Sequence, residues 1–126
     1  MTYKVLIVDD AEINLILFDA LIKRMGNSES VRFSSALQGL AWAVCNDVDL
    51  LIVDYMMPDL NGMEFIEQFR ATPGKEDIPV LMITANDQKQ VRYRALDAGA
   101  TDSLTKPVDK IEFMARVNNM LQLGAS

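Results

Sequence analysis

The chain has 126 residues, of which 50% are apolar and 24% are charged, so it has the size and composition of one globular domain and not of a disordered or fibrous protein. Its 18 acidic and 12 basic residues give a net charge of -6, which argues against binding of nucleic acid by this domain. Because the sequence contains no histidine, the chain cannot use that side chain for acid/base catalysis or metal binding, nor carry a phosphohistidine.

The apolar segments are short. Val5–Val8, Leu50–Val53 and Val80–Ile83 fall far below the roughly 20 residues that a membrane-spanning helix needs. The first strand begins within four residues of Met1 and leaves no room for a signal peptide, which predicts a cytoplasmic protein. The single cysteine, Cys45, cannot form an internal disulfide and follows an apolar stretch, so we predict a buried helix residue in a reducing compartment.

Short apolar, β-branched segments alternate with longer segments whose apolar residues recur every three or four positions, which predicts the alternating strands and helices of a parallel sheet. The first strand is predicted at Lys4–Val8 and the first helix at about Ala11–Met25, with Gly26 as its C-terminal stop. The residues predicted to face the core from this helix are Ile13, Ile16, Leu17, Ala20 and Leu21. The second strand is predicted around Ser30–Ser34, and the core residues predicted for the next helix are Leu37, Leu40, Ala41 and Val44.

The third strand, predicted at Asp49–Val53, is almost entirely apolar, which is typical of a central strand that helices cover on both faces. It ends at Asp54, and the loop 55–62 contains proline and glycine residues that delay the next helix. That helix is predicted to bury Phe65, Ile66 and Phe69.

The fourth strand is predicted at Pro79–Ile83, and a polar helix follows from about Asp87 to Ala98, where Gly99 stops it. The fifth strand is predicted at Thr101–Leu104.

The last helix is predicted to begin with a capping box formed by Asp109 and Glu112. The residues predicted to face the core from it are Ile111, Met114, Val117 and Leu121. We predict one domain over residues 1–122, with 123–126 as a tail or the start of a linker.

Five strand-helix units in about 120 residues predict an α/β, flavodoxin-like doubly wound sheet of five parallel strands in the order 2-1-3-4-5, with five helices. Ligands of such sheets bind beyond the carboxyl ends of the strands. The residues that the pattern places at those ends are Asp9, Asp10, Asp54, Thr84, Ala85 and Lys106. The candidate chemistry therefore converges on one rim.

Three carboxylates in one pocket repel one another unless a cation lies between them, and hard oxygen ligands of this kind suit magnesium. A carboxylate oxygen of Asp54 is then available as a nucleophile that forms an acyl phosphate. Lys106, Thr84 and the backbone amides near Ala85 and Met56 are the groups available to stabilise the charge on a transferred phosphoryl group.

Five sequence motifs, in this order and spacing, resemble those of the receiver domains of two-component response regulators. They are Val5-Leu6-Ile7-Val8-Asp9-Asp10, Asp54-Tyr55-Met56-Met57-Pro58-Asp59-Leu60-Asn61-Gly62, Ile83-Thr84-Ala85, Gly99-Ala100 and Lys106-Pro107. The resemblance covers nearly the whole chain and implies a signalling switch, not an enzyme that turns over a free substrate.

The resemblance also implies a role for each site residue. Asp54 would be the phosphorylated residue, and Asp9 and Asp10 would bind Mg2+, or Mn2+ as an alternative, together with Asp54 and the backbone carbonyl of Met56. The groups implied to bind the phosphoryl group are Thr84, Ala85 and Lys106, with a cis peptide bond between Lys106 and Pro107.

The partner implied by the resemblance is a histidine kinase or a histidine phosphotransfer protein that supplies a phosphohistidine. A C-terminal effector domain and a homodimer formed through the fourth helix, fifth strand and fifth helix are both compatible with it. One departure is Ser103, since receivers commonly carry an aromatic residue three positions before the lysine; Tyr93 is a weak candidate to replace that ring.

Two other functions compete with the switch. An aspartyl-phosphate phosphatase also uses a strand-end aspartate, but it usually places a second aspartate two positions later, where this chain has Met56. A degenerate receiver that only binds a partner would not need the complete set of acidic, hydroxyl and lysine residues.

Overall fold

A computed structural model describes residues 2–125 of the chain. The strands are β1 (Tyr3–Val8), β2 (Ser28–Phe33), β3 (Leu50–Asp54), β4 (Val80–Thr84) and β5 (Asp102–Thr105). The helices are α1 (Glu12–Arg24), α2 (Ala36–Ala43), α3 (Gly62–Ala71), α4 (Lys89–Ala98) and α5 (Lys110–Ala125). Every predicted strand is present, with ends within two residues of the prediction.

The five strands form one parallel sheet in the order β2-β1-β3-β4-β5, which confirms the predicted fold class. The register pairs Val8 with Val53, and Thr84 with Thr105, at the carboxyl ends of their strands. Residues that follow these ends therefore meet along one edge of the sheet.

Helices cover both faces of the sheet and create two apolar layers. Along β3, Leu51 and Val53 belong to the layer that contains Phe65 and Phe69 of α3, while Leu50 and Ile52 belong to the layer under α1 and α5. All five residues of β3 are buried, as expected for a central strand. In the second layer the rings of Phe18 and Phe113 stack with centroids 5.2 Å apart.

Of the predicted inward face of α1, Leu21 is buried and Leu17 is partly buried, but the rest is wrong. Ile13 and Ile16 are 76% and 61% exposed, and the buried apolar residues are Leu15, Phe18, Leu21 and Ile22. This helix carries apolar residues around much of its circumference, so helical periodicity fits more than one face. The stacking of Phe18 on α5 is a tertiary contact that selects the buried face.

The predicted inward face of α2 is right only for Leu40, which packs partly buried against the core, because mainly small residues face the sheet. Ala36, Gly39 and Ala43 are buried, whereas Leu37 and Val44 are exposed. A Cβ atom at Gly39 would lie 3.0 Å from the Val8 side chain, so the helix approaches the sheet too closely for a large residue there.

Three further expectations need correction. Cys45 is exposed in the turn after α2, not buried in a helix, because the helix ends at Ala43. Ile111 is 82% exposed, while Phe113 of the same helix takes the core position. Asp109 caps α5 by accepting from the backbone amides of Ile111 and Glu112, but the Glu112 carboxylate contacts Arg116 and does not complete the capping box.

The predicted boundary at residue 122 falls inside α5, which continues to Ala125. Where the domain gives way to a linker stays a prediction. None of the helices within residues 2–125 has the length and apolar character needed to span a bilayer.

Arg70, near the end of α3, donates hydrogen bonds to the loop after α3 and to the turn after α4. Its guanidinium donates to the Gly99 carbonyl from Nε and Nη2, at 3.0 and 2.8 Å. Nη1 donates to the carbonyls of Lys75 (2.8 Å), Glu76 (3.2 Å) and Ile78 (2.5 Å). Burial lowers the pKa of Arg70, because the guanidinium has lost part of its contact with water, while the charge of Asp77 opposes that shift.

We expect Arg70→Met to lower the free energy of unfolding by about 2–3 kcal/mol, because it leaves several partly buried carbonyls without a donor. Urea denaturation measures this change. The matched control is Arg94→Met on the exposed side of α4, which should change stability by less than about 0.5 kcal/mol. Equal stability of the two variants would contradict a structural role for Arg70.

Candidate functional site

Four strand ends supply the side chains of the candidate site. Asp9 follows β1, Asp54 ends β3, Thr84 ends β4 and Lys106 follows β5. The parallel register brings these positions to one edge, as the sequence predicted. We call the carboxylates of Asp9, Asp10 and Asp54, together with the Lys106 amine, the acidic pocket.

The three carboxylates of the acidic pocket lie close together. Asp9, Asp10 and Asp54 each offer one oxygen, and these oxygens all lie within 4.8 Å of one another. Asp9 is 1% exposed and Asp54 is 5% exposed, while Asp10 reaches solvent. Buried like charges at this separation destabilise one another unless a cation compensates them.

Lys106 supplies one compensating charge. Its Nζ atom lies 2.9 Å from Oδ1 of Asp54 and 3.7 Å from Oδ2 of Asp9. The backbone amide of Lys106 donates to the Thr84 carbonyl at 2.7 Å, and the Lys106–Pro107 peptide bond is cis. One ammonium faces three carboxylates, so the pocket keeps an excess of negative charge.

The excess negative charge of the acidic pocket affects the pKa of Asp54. Burial raises the pKa of its carboxyl group, the hydrogen bond from Lys106 opposes that rise, and the charges of Asp9 and Asp10 add to it. The net effect is a raised pKa. Ionised Asp54 is therefore held at a cost that a further cation would reduce.

Thr84 and the loop after β4 form one wall beside Asp54. The Thr84 side chain is buried, and its Oγ1 atom accepts a hydrogen bond from the Asn86 amide at 3.0 Å. Ala85 is exposed, and so is the Met56 side chain across the opening. These residues line an open cavity of about 500 Å3.

Gly62 allows α3 to begin directly against the end of β3. The sequence analysis did not predict this role for Gly62. A Cβ atom at this position would lie 2.6 Å from the Asp54 carbonyl oxygen and 2.9 Å from Cα of Tyr55. Asn61 and Glu64 form the capping box of the same helix. The signal was present as Asn61-Gly62 before an apolar helical pattern.

Asn14 is a second site neighbour that the sequence reading missed. Its Nδ2 atom donates to Oδ2 of Asp9 at 3.1 Å, and the backbone amide of Ala11 donates to Oδ1 at 2.9 Å. An asparagine five positions after a strand-end aspartate is not a specific motif, so the sequence alone did not predict the contact between Asn14 and Asp9.

The family of the chain follows from its match to a known family model. Residues 5–118 match the model of the response regulator receiver domain. This chain belongs to the response regulator receiver domain family. The prediction made from its motifs is therefore confirmed, and receiver domains are the phosphoacceptor signalling modules of two-component systems.

The curated relatives of this receiver domain are longer proteins, of which it matches one segment. It is 42% identical over 91 residues, 72% of this chain, to the cyclic di-GMP phosphodiesterase response regulator RpfG of Xanthomonas campestris, of which it covers 24%. It is 35% identical over 123 residues, 95% of this chain, to the response regulator PleD of Caulobacter vibrioides, of which it covers 26%. The chain thus spans about a quarter of the length of these curated relatives.

A solved structure supports the fold of the whole receiver domain. The Francisella response regulator 1452 receiver domain superposes with a TM-score of 0.89 at 25% identity, covering 97% of this chain and 98% of the other. The architecture described above is therefore the one that receiver domains share.

We expect Asp54→Asn to stabilise the metal-free receiver domain near neutral pH. A carboxyl group whose pKa is raised by folding favours the folded state below its unfolded pKa, about 3.9, and that contribution is lost as pH rises through the raised value. Asparagine does not titrate, so the advantage of the variant should grow with pH across that window. Urea denaturation in EDTA at several pH values measures it.

The control for this measurement is Asp97→Asn on the exposed side of α4, which should show no such growth with pH. A parent chain that is more stable than Asp54→Asn at neutral pH would contradict the expected cost of ionised Asp54.

Proposed function

We propose that this receiver domain accepts a phosphoryl group from a phosphohistidine onto Asp54 in a magnesium-dependent reaction, and that the modification switches a partner or an attached effector domain. The observation that carries the proposal is the acidic pocket itself. A buried aspartate with a raised pKa lies 2.9 Å from a lysine amine, beside two further carboxylates.

The residues present fit a divalent cation. Three hard oxygen donors lie close enough together to share one ion, and their excess negative charge would be relieved by it. We assign Asp9, Asp10, Asp54 and the backbone carbonyl of Met56 as its ligands, with Mg2+ preferred and Mn2+ as the alternative. When bound, the ion supplies positive charge that offsets carboxylate repulsion and the charge on phosphoryl oxygens.

The chemistry proposed for the chain is a single displacement. A carboxylate oxygen of Asp54 attacks phosphorus, the bond from phosphorus to the imidazole nitrogen breaks, and its electron pair leaves with the imidazole. The Lys106 ammonium then binds a phosphoryl oxygen. The Thr84 hydroxyl donates a hydrogen bond to another phosphoryl oxygen, because Oγ1 uses only acceptor capacity in its contact with Asn86, and the Ala85 amide is a further donor.

The same residues disfavour the phosphatase reading. Met56 stands where a second aspartate would act as general acid and base, and its thioether cannot transfer a proton. We propose that the chain catalyses only its own phosphorylation and slow dephosphorylation. The complete pocket also argues against a degenerate receiver.

Partners follow from the same proposal. The phosphohistidine belongs to a histidine kinase or a phosphotransfer protein, and exposed Ile13 and Ile16 on α1, close in sequence to Asp10, are apolar contacts suited to docking it. These relatives are about three to four times as long as this chain, which supports an effector domain in the full protein. We place the protein in the cytoplasm, without nucleic acid binding by this domain.

Dimerisation through α4, β5 and α5 stays a prediction. That face carries Asp102 between Arg92 and Arg116, and Ser103 lines a cavity of about 230 Å3 beside them. Tyr93 is exposed on α4 and does not fill this cavity in place of the missing ring.

The decisive test is incubation with Mg2+ and acetyl phosphate. We expect a hydroxylamine-labile phosphoryl adduct on the parent and none on Asp54→Ala, detected by intact mass. Asp97→Ala, which changes an exposed aspartate, is the matched control and should label like the parent. Equal labelling of Asp54→Ala would refute the assignment, and continuous phosphate release from small esters would support the phosphatase alternative.

Removal of the Mg2+ ion or of the Lys106 ammonium group should also suppress labelling. EDTA should abolish it, and Lys106→Met should slow it by roughly a hundredfold, because one donor to the transferred phosphoryl group is lost. Lys110→Met, at the exposed start of α5, is the control and should label at the parent rate. Labelling rates measured by mass spectrometry over time decide the outcome, and an unchanged rate for Lys106→Met would remove that residue from the site.

A further inference from the structure

Asp9 is held from α1 as well as by Lys106. The Ala11 backbone amide donates a hydrogen bond to Oδ1 of Asp9 at 2.9 Å, and the Asn14 side-chain amide donates one to Oδ2 at 3.1 Å. Oδ2 also lies 3.7 Å from the Lys106 amine, farther than the 2.9 Å that separates this amine from Asp54. Each oxygen of a carboxylate that is 1% exposed therefore has a hydrogen bond from the start of one helix.

This arrangement follows from the local sequence. Ala11 is the N-cap of α1 and has no side-chain oxygen, so the helix has no side-chain cap of the usual kind. Side chains of a helix point back toward its N-terminus, which directs the Asn14 amide to Asp9. The first turn of α1 thus fixes an acidic side chain that lies outside the helix.

We infer that Asn14 is a positioning residue that fixes the Asp9 carboxylate and thereby sets the affinity of the acidic pocket for a divalent cation. This inference rests on the proposed function, because it takes Asp9 as a metal ligand. Hydrogen bonds from neighbouring residues orient carboxylate ligands, and removing such a partner typically weakens metal binding 10–100-fold.

The chemistry of the asparagine side chain suits this task. A neutral amide donor restrains Asp9 without cancelling its charge, so the full carboxylate charge remains for the cation. Without Asn14, Oδ2 of Asp9 would keep only its longer contact with Lys106. Rotation of the Asp9 carboxylate toward the Lys106 amine would then move Oδ2 away from Asp54. Loss of Asn14 would therefore disturb Asp9 more than Asp54, because the Asn14 side chain hydrogen-bonds to Asp9.

The test is calorimetric titration of the whole chain with MgCl2, without a phosphodonor. We expect Asn14→Ala and Asn14→Leu to raise the Kd for Mg2+ about tenfold or more. Asn119→Ala, which removes an exposed helical asparagine from α5, is the matched control and should leave the Kd unchanged. Leucine has the same number and branching of side-chain heavy atoms as asparagine and favours helix, so it carries the test if the alanine variant fails to fold.

Acetyl phosphate labelling across Mg2+ concentrations separates positioning from a general structural effect. We expect the half-saturating Mg2+ concentration of the Asn14 variants to rise by the same factor as the Kd, while the rate at saturating Mg2+ stays near that of the parent. A Kd within twofold of the parent, or a lower maximal rate with unchanged half-saturation, would overturn the inference. The Asp54→Ala labelling result decides the proposed function independently of these values.

Discussion

Mutual repulsion among three carboxylates is the constraint on which the site depends. Asp9, Asp10 and Asp54 bring oxygens within 4.8 Å of one another, two of these side chains are buried, and Lys106 supplies a single positive charge. Such a cluster persists only because a folded core of two apolar layers holds its members in place. The stored repulsion makes the pocket receptive to a cation and makes Asp54 sensitive to its surroundings.

The fold produces this pocket through strand ends and loop anchors. The parallel register gives β1, β3, β4 and β5 a common carboxyl edge, so residues far apart in sequence become neighbours. Gly62 lets α3 start against the Asp54 backbone. At the other end of α3, Arg70 holds the turn at Gly99 after α4. The site residues lie at the ends of strands and in the loops that follow them, while helices and strands fix where those loops begin.

The same geometry links the pocket to the surface. Thr84 Oγ1 accepts from the Asn86 amide, and the Asn86 side chain accepts from the Gln88 amide at the start of α4. A change in the hydrogen bonding of Thr84 would therefore alter the hydrogen bonds at the start of α4. On the α4-β5-α5 face, Ser103 lines a cavity of about 230 Å3, and beside it Arg92 of α4 and Arg116 of α5 both form ion pairs with Asp102 of β5.

The sequence by itself determined the order of the elements, the parallel sheet and the rim that carries Asp9, Asp54 and Lys106. It did so because apolar periodicity marks each element and the connectivity of parallel strands fixes which ends share an edge. Only the tertiary structure decided which face of α1 is buried and that Asn14 reaches Asp9. Those outcomes depend on distances between residues that meet only after folding, as when Phe18 stacks on Phe113. Local sequence patterns carry no record of such contacts.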